Sequence, residues 1–386
     1  MAIGPRRLVA PIAFLVCLIT VAAGAQTHTE GLVEVGRGAL EEAGRGVPRL
    51  IVDRELVAPV GGFTKVVWSS DGQKLAAYVS GGTSYSDAGN LITVWTAGGQ
   101  SYREIKGEPG WPFTARSPLA FAGSDTQLVT PPPLGKNDLV LSVYDIDTGT
   151  IVNTIAGPSV APLARHGRLS FAVSPDQALL AAALGGPNPV TLYSATSWEA
   201  IAALPEPPPP LSTELVVFSP DGRILATNQP VRRLLLYDVA KRSVAITITA
   251  FSECCDFIDA IAFGPDNQVA VSTATLPGRA RAPNGEMLDV VVREPVRVFR
   301  IRDGERIASF GEPIFRLRHL AWGPARVPIA FSTGEDTIRL WDPAHPDDSG
   351  RAYKLRATVF SLAFSPDGSR LAIANGRYIT ICRIEP

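Results

Sequence analysis

The segment Phe364-Ser365-Pro366-Asp367-Gly368 has six relatives along the chain, and a turn repeated this often leaves few folds open. Phe218-Ser219-Pro220-Asp221-Gly222 is nearly the same, while Val173-Ser174-Pro175-Asp176 and Phe263-Gly264-Pro265-Asp266 vary it slightly. Trp68-Ser69-Ser70-Asp71-Gly72 loses the proline, and Gly123-Ser124-Asp125 and Trp322-Gly323-Pro324 are worn copies. Each reads as a strand end followed by a tight turn. Proline presets φ at the first turn position, aspartate bonds back to the local backbone, and glycine accepts positive φ. Apolar strands follow the clear copies, as in Lys74–Tyr78 and Arg370–Ala374, so each unit is at least a hairpin.

A second marker lies downstream in each unit: a β-rich run ending at Trp95, Tyr144, Tyr193, Tyr237, Phe299 and Trp341, and fading to Cys382 in the last copy. Successive markers are 49, 49, 44, 62, 42 and 41 residues apart. A period in the forties with two hairpins per unit describes a four-stranded propeller blade. The expected fold is therefore all-β: a seven-bladed β-propeller of four-stranded antiparallel blades over residues 48–386. The 62-residue interval holds an insertion around Gly278-Arg279-Ala280-Arg281. Apolar runs such as Leu215–Phe218 and Ala260–Phe263 predict inner strands buried on both faces. The last unit shows strands at Val359–Phe364, Arg370–Ala374 and Tyr378–Arg383 but no fourth, while Leu50–Val57 stands alone before the first full unit. That N-terminal strand is expected to complete the last blade, which closes the ring without an open edge.

The Leu340-Trp341-Asp342 strand ending and the Ser-Pro-Asp-Gly turns resemble those of the WD40 repeat family, over roughly residues 48–386. The chain is similar to divergent, exported bacterial propellers of that kind, and the resemblance implies a closed ring. One departure stands out. Family members usually carry a Gly-His pair before the first strand of many blades, whereas the histidines here, at 28, 166, 319 and 345, never follow a glycine. The His-to-Asp hydrogen-bond network that braces such blades is therefore missing.

The N-terminal residues read separately. Arg6 and Arg7 precede an apolar run, Leu8 to Val21, and Ala23-Gly24-Ala25 has the small-residue pattern of a cleavage site. Residues 1–25 are expected to be a signal peptide and 26–47 a linker, which places the mature chain in the periplasm or outside the cell. The run is short of the roughly 20 residues of a membrane span, so no stable membrane insertion is expected after cleavage; an uncleaved anchor is the other reading. Cys254-Cys255 then sits in an oxidising compartment, as a strained vicinal disulfide or as two free thiols.

Function is harder to read. Lys plus Arg is 36 against 37 for Asp plus Glu, so no field of one sign recruits nucleic acid. In a four-stranded meander the connections after strands one and three lie on one face and those after strands two and four on the other. The second face collects the long loops, where function on a rigid scaffold usually sits. There Trp111 and Phe113 with Arg116 have the makeup of interface anchors, or else cover the channel mouth. Arg279 and Arg281 dock an acidic partner, or else belong to a solvated loop. Pro205-Glu206-Pro207-Pro208-Pro209-Pro210 reads as a stiff polyproline spacer.

No nucleophile elbow, phosphate loop, dinucleotide fingerprint or zinc-protease helix occurs. His345 with Asp347 and Asp348, and Asp145 with Asp147, fit hairpin turns better than metal sites. No catalytic residue, metal or cofactor is therefore expected. The reading is a monomeric scaffold that binds a protein or cell-envelope component through its loop-rich face. A lactonase-like or quinoprotein-like enzyme with a site at the channel mouth, and an accessory propeller of an envelope complex, are the alternatives.

Overall fold

A computed structural model describes residues 47–385, apart from 59–60, 81–90, 107–117, 132–138, 157–168, 184–189, 206–212, 214, 230–231, 252–256, 275–278, 282–286, 290–293, 312–316, 318, 325–326 and 334. Seven four-stranded antiparallel sheets follow one another along the chain. Blade 1 is β2 (Gly62–Trp68), β3 (Lys74–Ser80), β4 (Leu91–Thr96) and β5 (Ser101–Lys106). Blade 2 is β6 (Ala120–Ala122), β7 (Gln127–Thr130), β8 (Leu139–Asp145) and β9 (Ile151–Ala156). Blade 3 is β10 (Ser170–Val173), β11 (Leu179–Ala183), β12 (Thr191–Ser194) and β13 (Ala200–Ala203). Blade 4 is β14 (Val216–Phe218), β15 (Ile224–Gln229), β16 (Arg233–Asp238) and β17 (Ser243–Thr249). Blade 5 is β18 (Phe257–Gly264), β19 (Gln268–Ala274), β22 (Val296–Arg300) and β23 (Arg306–Phe310), with a ribbon, β20 (Arg279–Arg281) and β21 (Met287–Asp289), inserted before β22. Blade 6 is β24 (Leu320–Trp322), β25 (Ile329–Ser332), β26 (Thr337–Trp341) and β27 (Arg351–Lys354).

The seventh blade is the seam. It joins β28 (Val359–Phe364), β29 (Arg370–Asn375) and β30 (Tyr378–Glu385) to β1 (Arg49–Val57), the N-terminal strand, as its outer member. The closure expected from the sequence is present, with Leu50 opposite Ile384 and Val57 opposite Tyr378. A bulge at Asp53, between Val52 and Arg54, re-phases the strand. Leu50 consequently enters the cluster between blades 6 and 7, while Leu56 enters the one between blades 7 and 1. Each first strand touches the first strand of the next blade around the whole circle. One hydrophobic cluster fills each of the seven junctions.

Burial corrects one expectation. The second and third strands, such as β15 and β16, are the most completely buried; of the two first strands expected to be buried on both faces, β18 is so at Ile261, Ala262 and Phe263, whereas β14 alternates. In β14, Val216 and Phe218 are buried and Val217 is not. The physical reason is position: β14 borders the central channel, so only its flanks are covered by neighbouring blades.

The missing histidine network is replaced by apolar packing. The markers Trp95, Tyr144, Tyr193, Tyr237, Phe299, Trp341 and Cys382 stand opposite Leu75, Leu128, Leu180, Leu225, Val269, Ile329 and Leu371 on the second strands. Trp341 is fully buried, and its indole N–H finds no acceptor among the described residues. Phe310 meets the Trp341 ring edge-on at 5.6 Å and Phe331 at 5.0 Å, within the favourable range for aromatic pairs.

Candidate functional site

The repeated turns set one face of the ring. In blades 1, 3, 4 and 7 a buried serine organises the turn: Ser69, Ser174, Ser219 and Ser365. Each hydroxyl donates to the aspartate two residues on, at 2.6, 2.5, 2.6 and 2.5 Å. Each also accepts the N–H that starts the second strand, from Lys74, Leu179, Ile224 and Arg370. The aspartates accept a further backbone N–H, and their carboxyls titrate below the ordinary range. The serine hydroxyl is the main cause for Asp176 and Asp367; for Asp71 and Asp221 burial pushes upward and the serine and backbone donors outweigh it. Gly72, Gly222 and Gly368 have φ of 68°, 70° and 71°, as the turn chemistry requires. Blade 5 has Gly264 in place of the serine because a side chain there would meet the Trp322 ring of blade 6.

The worn copy in blade 2 does something more. Its Asp125 is buried and clamps three blades. The carboxylate accepts from Ser70 N (3.1 Å) and Oγ (2.7 Å), Asp71 N (3.1 Å) and Gln177 Nε2 (2.8 Å), while Lys74 Nζ donates to its carbonyl at 2.9 Å. The turns of this face are largely satisfied internally. Asp145 behaves as expected of a turn residue, accepting from Thr148 N and Oγ1, both at 2.8 Å. His345 likewise pairs with Asp342 at 3.0 Å in a surface turn. An open groove of about 590 Å³ lies between the outer strand of blade 5, at Arg306–Gly311, and the β26–β27 connection of blade 6, at Pro346–Ser349.

The opposite face carries the longer connections, concentrated on blades 1, 2, 3 and 5; after the second strand they are short in blades 4, 6 and 7 (230–232, 333–336 and 376–377). Of the residues expected there, Trp111, Phe113 and Arg116 lie outside the described residues, as do Cys254, Cys255 and 206–210. Arg279 and Arg281 fall on β20, where Arg279 stands opposite Asp289 and Arg281 opposite Met287. The insertion is thus a two-stranded ribbon where the sequence suggested a loop. Among the described residues no group of His, Cys, Asp and Glu has the geometry of a metal site. Cys382 is buried in the blade 6–7 cluster, and burial, with Glu55 and Asp53 adding to it, pushes its thiol up to about 12.

From the sequence, Asp259 at the start of an inner strand reads as a residue that lines the channel, although one carboxylate makes no mechanism; Lys65 is not singled out. Among the described residues, the first strands carry two charged side chains, Lys65 on β2 and Asp259 at the bulge of β18.

Seven four-stranded sheets closed through the N-terminal strand define a β-propeller. With its Ser-Pro-Asp-Gly turns and Trp-Asp strand ending, the chain is a WD40-like propeller. No protein-family model matches it. It is similar to periodic tryptophan protein 2 of Arabidopsis thaliana, 24% identical over 190 residues, which span 41% of this chain and 20% of that protein.

Proposed function

We propose that this propeller is an exported, monomeric binding scaffold that captures a protein or cell-envelope component on its loop-rich face, rather than a catalyst. The observation that carries the reading is the inequality of the two faces. One is sealed by short turns whose polar groups are spent on each other and on the Asp125 clamp. The other gathers the long connections and the β20–β21 ribbon on a rigid ring. Long connections on a rigid scaffold are the usual seat of recognition. Export rests on the Arg6-Arg7, Leu8–Val21 and Ala23–Ala25 pattern. Trp111, Phe113, Arg116, Arg279 and Arg281 are proposed to contribute the aromatic and cationic contacts.

The test is cross-linking capture from the native host's envelope with tagged residues 26–386, beside a variant carrying alanine at those five positions. A reproducible protein partner, lost with the variant, supports the reading and locates the face. Capture unchanged by the variant removes the five residues. Absence of any protein partner, with a small molecule or metal copurifying, overturns the scaffold in favour of a propeller enzyme.

A further inference from the structure

The groove between blades 5 and 6 has a strand edge for one wall. Every residue of β23 lines it, with Gly311 after the strand, and Pro346–Ser349 of the β26–β27 connection line the other wall. Residues from both sides of the pleat reach the groove together only along the edge of a strand. β23 ends its sheet, paired with β22 on one side and with no strand on the other. Such an edge presents backbone N–H and C=O groups to whatever lies beside it.

At other junctions the matching gap is filled. Gly99, Gly149 and Gly304, in turns between third and fourth strands, lie against the outer strand of the blade before: against Arg54 and Leu56 of β1, Arg103 and Ile105 of β5, and Ile246 and Ile248 of β17. On β5, Tyr102 also donates to the Asp147 carboxylate and Arg103 to its carbonyl oxygen. The residues in register with these on β23 are Ile307, in the bulge, and Ala308, which have no polar group to send across. The blade 6 connection is also longer, 342–350 against 146–150 in blade 2, and its Gly350 lies against Leu340 of its own blade. The gap therefore stays open, yet its walls are held. Arg339 lies 5.5 Å over the Phe310 ring and donates to Ser349 O at 2.6 Å. The volume of about 590 Å³ is that of a ligand pocket.

The wall facing β23 is acidic. Asp347 is exposed, with no hydrogen bond or ion pair to any described residue, and Asp348 commits one oxygen to Gly350 N at 2.8 Å. Arg306, the cation lining the groove, is already held by Glu294 at 2.8 Å. An open strand edge pairs with an extended chain, and the carboxylates opposite select a positive side chain on it. We propose that the groove takes an extended peptide segment of a partner protein, which adds to β23 as a fifth strand of blade 5 and sets a lysine or arginine against Asp347. This surface is separate from the five residues proposed on the loop-rich face and does not depend on them.

The experiment is fluorescence anisotropy of a dye-labelled, blocked octapeptide, Thr-Val-Thr-Lys-Val-Thr-Val-Thr, titrated with the chain (residues 26–386) at fixed ionic strength. Beside it run the same peptide with glutamate for lysine, and two lysine peptides N-methylated on alternate amides, one in each phase. Saturable binding of the lysine peptide is expected, with the glutamate peptide weaker. At least one N-methylated peptide should fail to bind, because N-methylation removes the donors that pair a strand. Asp347→Asn should weaken the lysine peptide about threefold to fivefold, the scale of one exposed ion pair. Ile307→Tyr puts here the side chain that helps to close the blade 1–2 gap, and should abolish binding. No saturable binding of the lysine peptide overturns the proposal, as does a glutamate peptide bound as tightly, or both N-methylated peptides bound as tightly as the unmodified one. Unchanged affinity in folded Asp347→Asn or in folded Ile307→Tyr overturns it as well.

Discussion

Leu50 and Leu56 test whether the seam strand is part of the fold's stability or a loose tail. Both lie on β1, at 7% and 8% exposure, yet in different clusters because of the bulge at Asp53. Leu→Ala in a packed core removes buried methyl groups and leaves part of a cavity, for about 2–5 kcal/mol. Both side chains lie on an outer strand with some exposure, so about 2–3 kcal/mol each is expected, at the low end of that range. Six residues of strand separate them, roughly 20 Å at the strand rise. They share no cluster, so the double variant should lose the sum within about 0.5 kcal/mol. Val57→Ala, on the same strand at 57% exposure, is the control and should stay within about 0.5 kcal/mol of wild type. The assay is urea unfolding followed by tryptophan fluorescence, with midpoint and slope fitted for wild type and all four variants. Leucine variants no worse than Val57→Ala would refute the packed seam. A coupling above about 1 kcal/mol would refute the separation by the bulge.

Further expectations rest on single residues. Ser365→Ala removes the largest cause of the low Asp367 pKa, so that carboxyl should rise toward the ordinary value by NMR titration; no movement would mean that the serine does not organise the turn. The four turn aspartates are depressed in the folded state, so their contribution is full above the ordinary carboxylate pKa of about 4 and is lost as pH falls through the folded values. The urea midpoint should therefore fall below about pH 4, and by less in Ser365→Ala; an equal fall in both proteins would count against the linkage. Gly264→Ala drives a methyl group into the Trp322 ring across the blade 5–6 junction and should cost about 1–3 kcal/mol as overpacking; a urea midpoint like wild type would count against that junction. With Cys17, Cys254 and Cys255 replaced by serine, Cys382 should stay unlabelled by a thiol reagent at pH 8 until the protein unfolds, since its thiol lies at about 12 and is buried. Rapid labelling of the native protein would contradict the packing of the last blade.

Blade number and ring closure were legible in the sequence because both are local or additive properties. Turn chemistry is written in residues such as Ser365, Asp367 and Gly368, and repetition at a steady period multiplies a weak signal sevenfold. Even the seam followed from counting, since Leu50–Val57 was the one unassigned strand for the one incomplete blade. The five residues expected on the loop-rich face were chosen by composition alone, and of these only the backbone of Arg279 and Arg281 lies among the described residues, in a ribbon the sequence did not announce. What only the tertiary structure decided is which surface each residue meets. A strand sequence alternates between two faces, but it does not say whether a face meets a neighbouring blade or the open axis. That is why β14 was misread as buried on both faces. A bulge re-phases that alternation with no clear mark in the sequence, which sends Leu50 and Leu56 to opposite junctions. Gly264 likewise reads as a worn serine until the Trp322 ring of the next blade is seen lying against it. Local chemistry fixes the unit, whereas contacts between units exist only once the ring has closed.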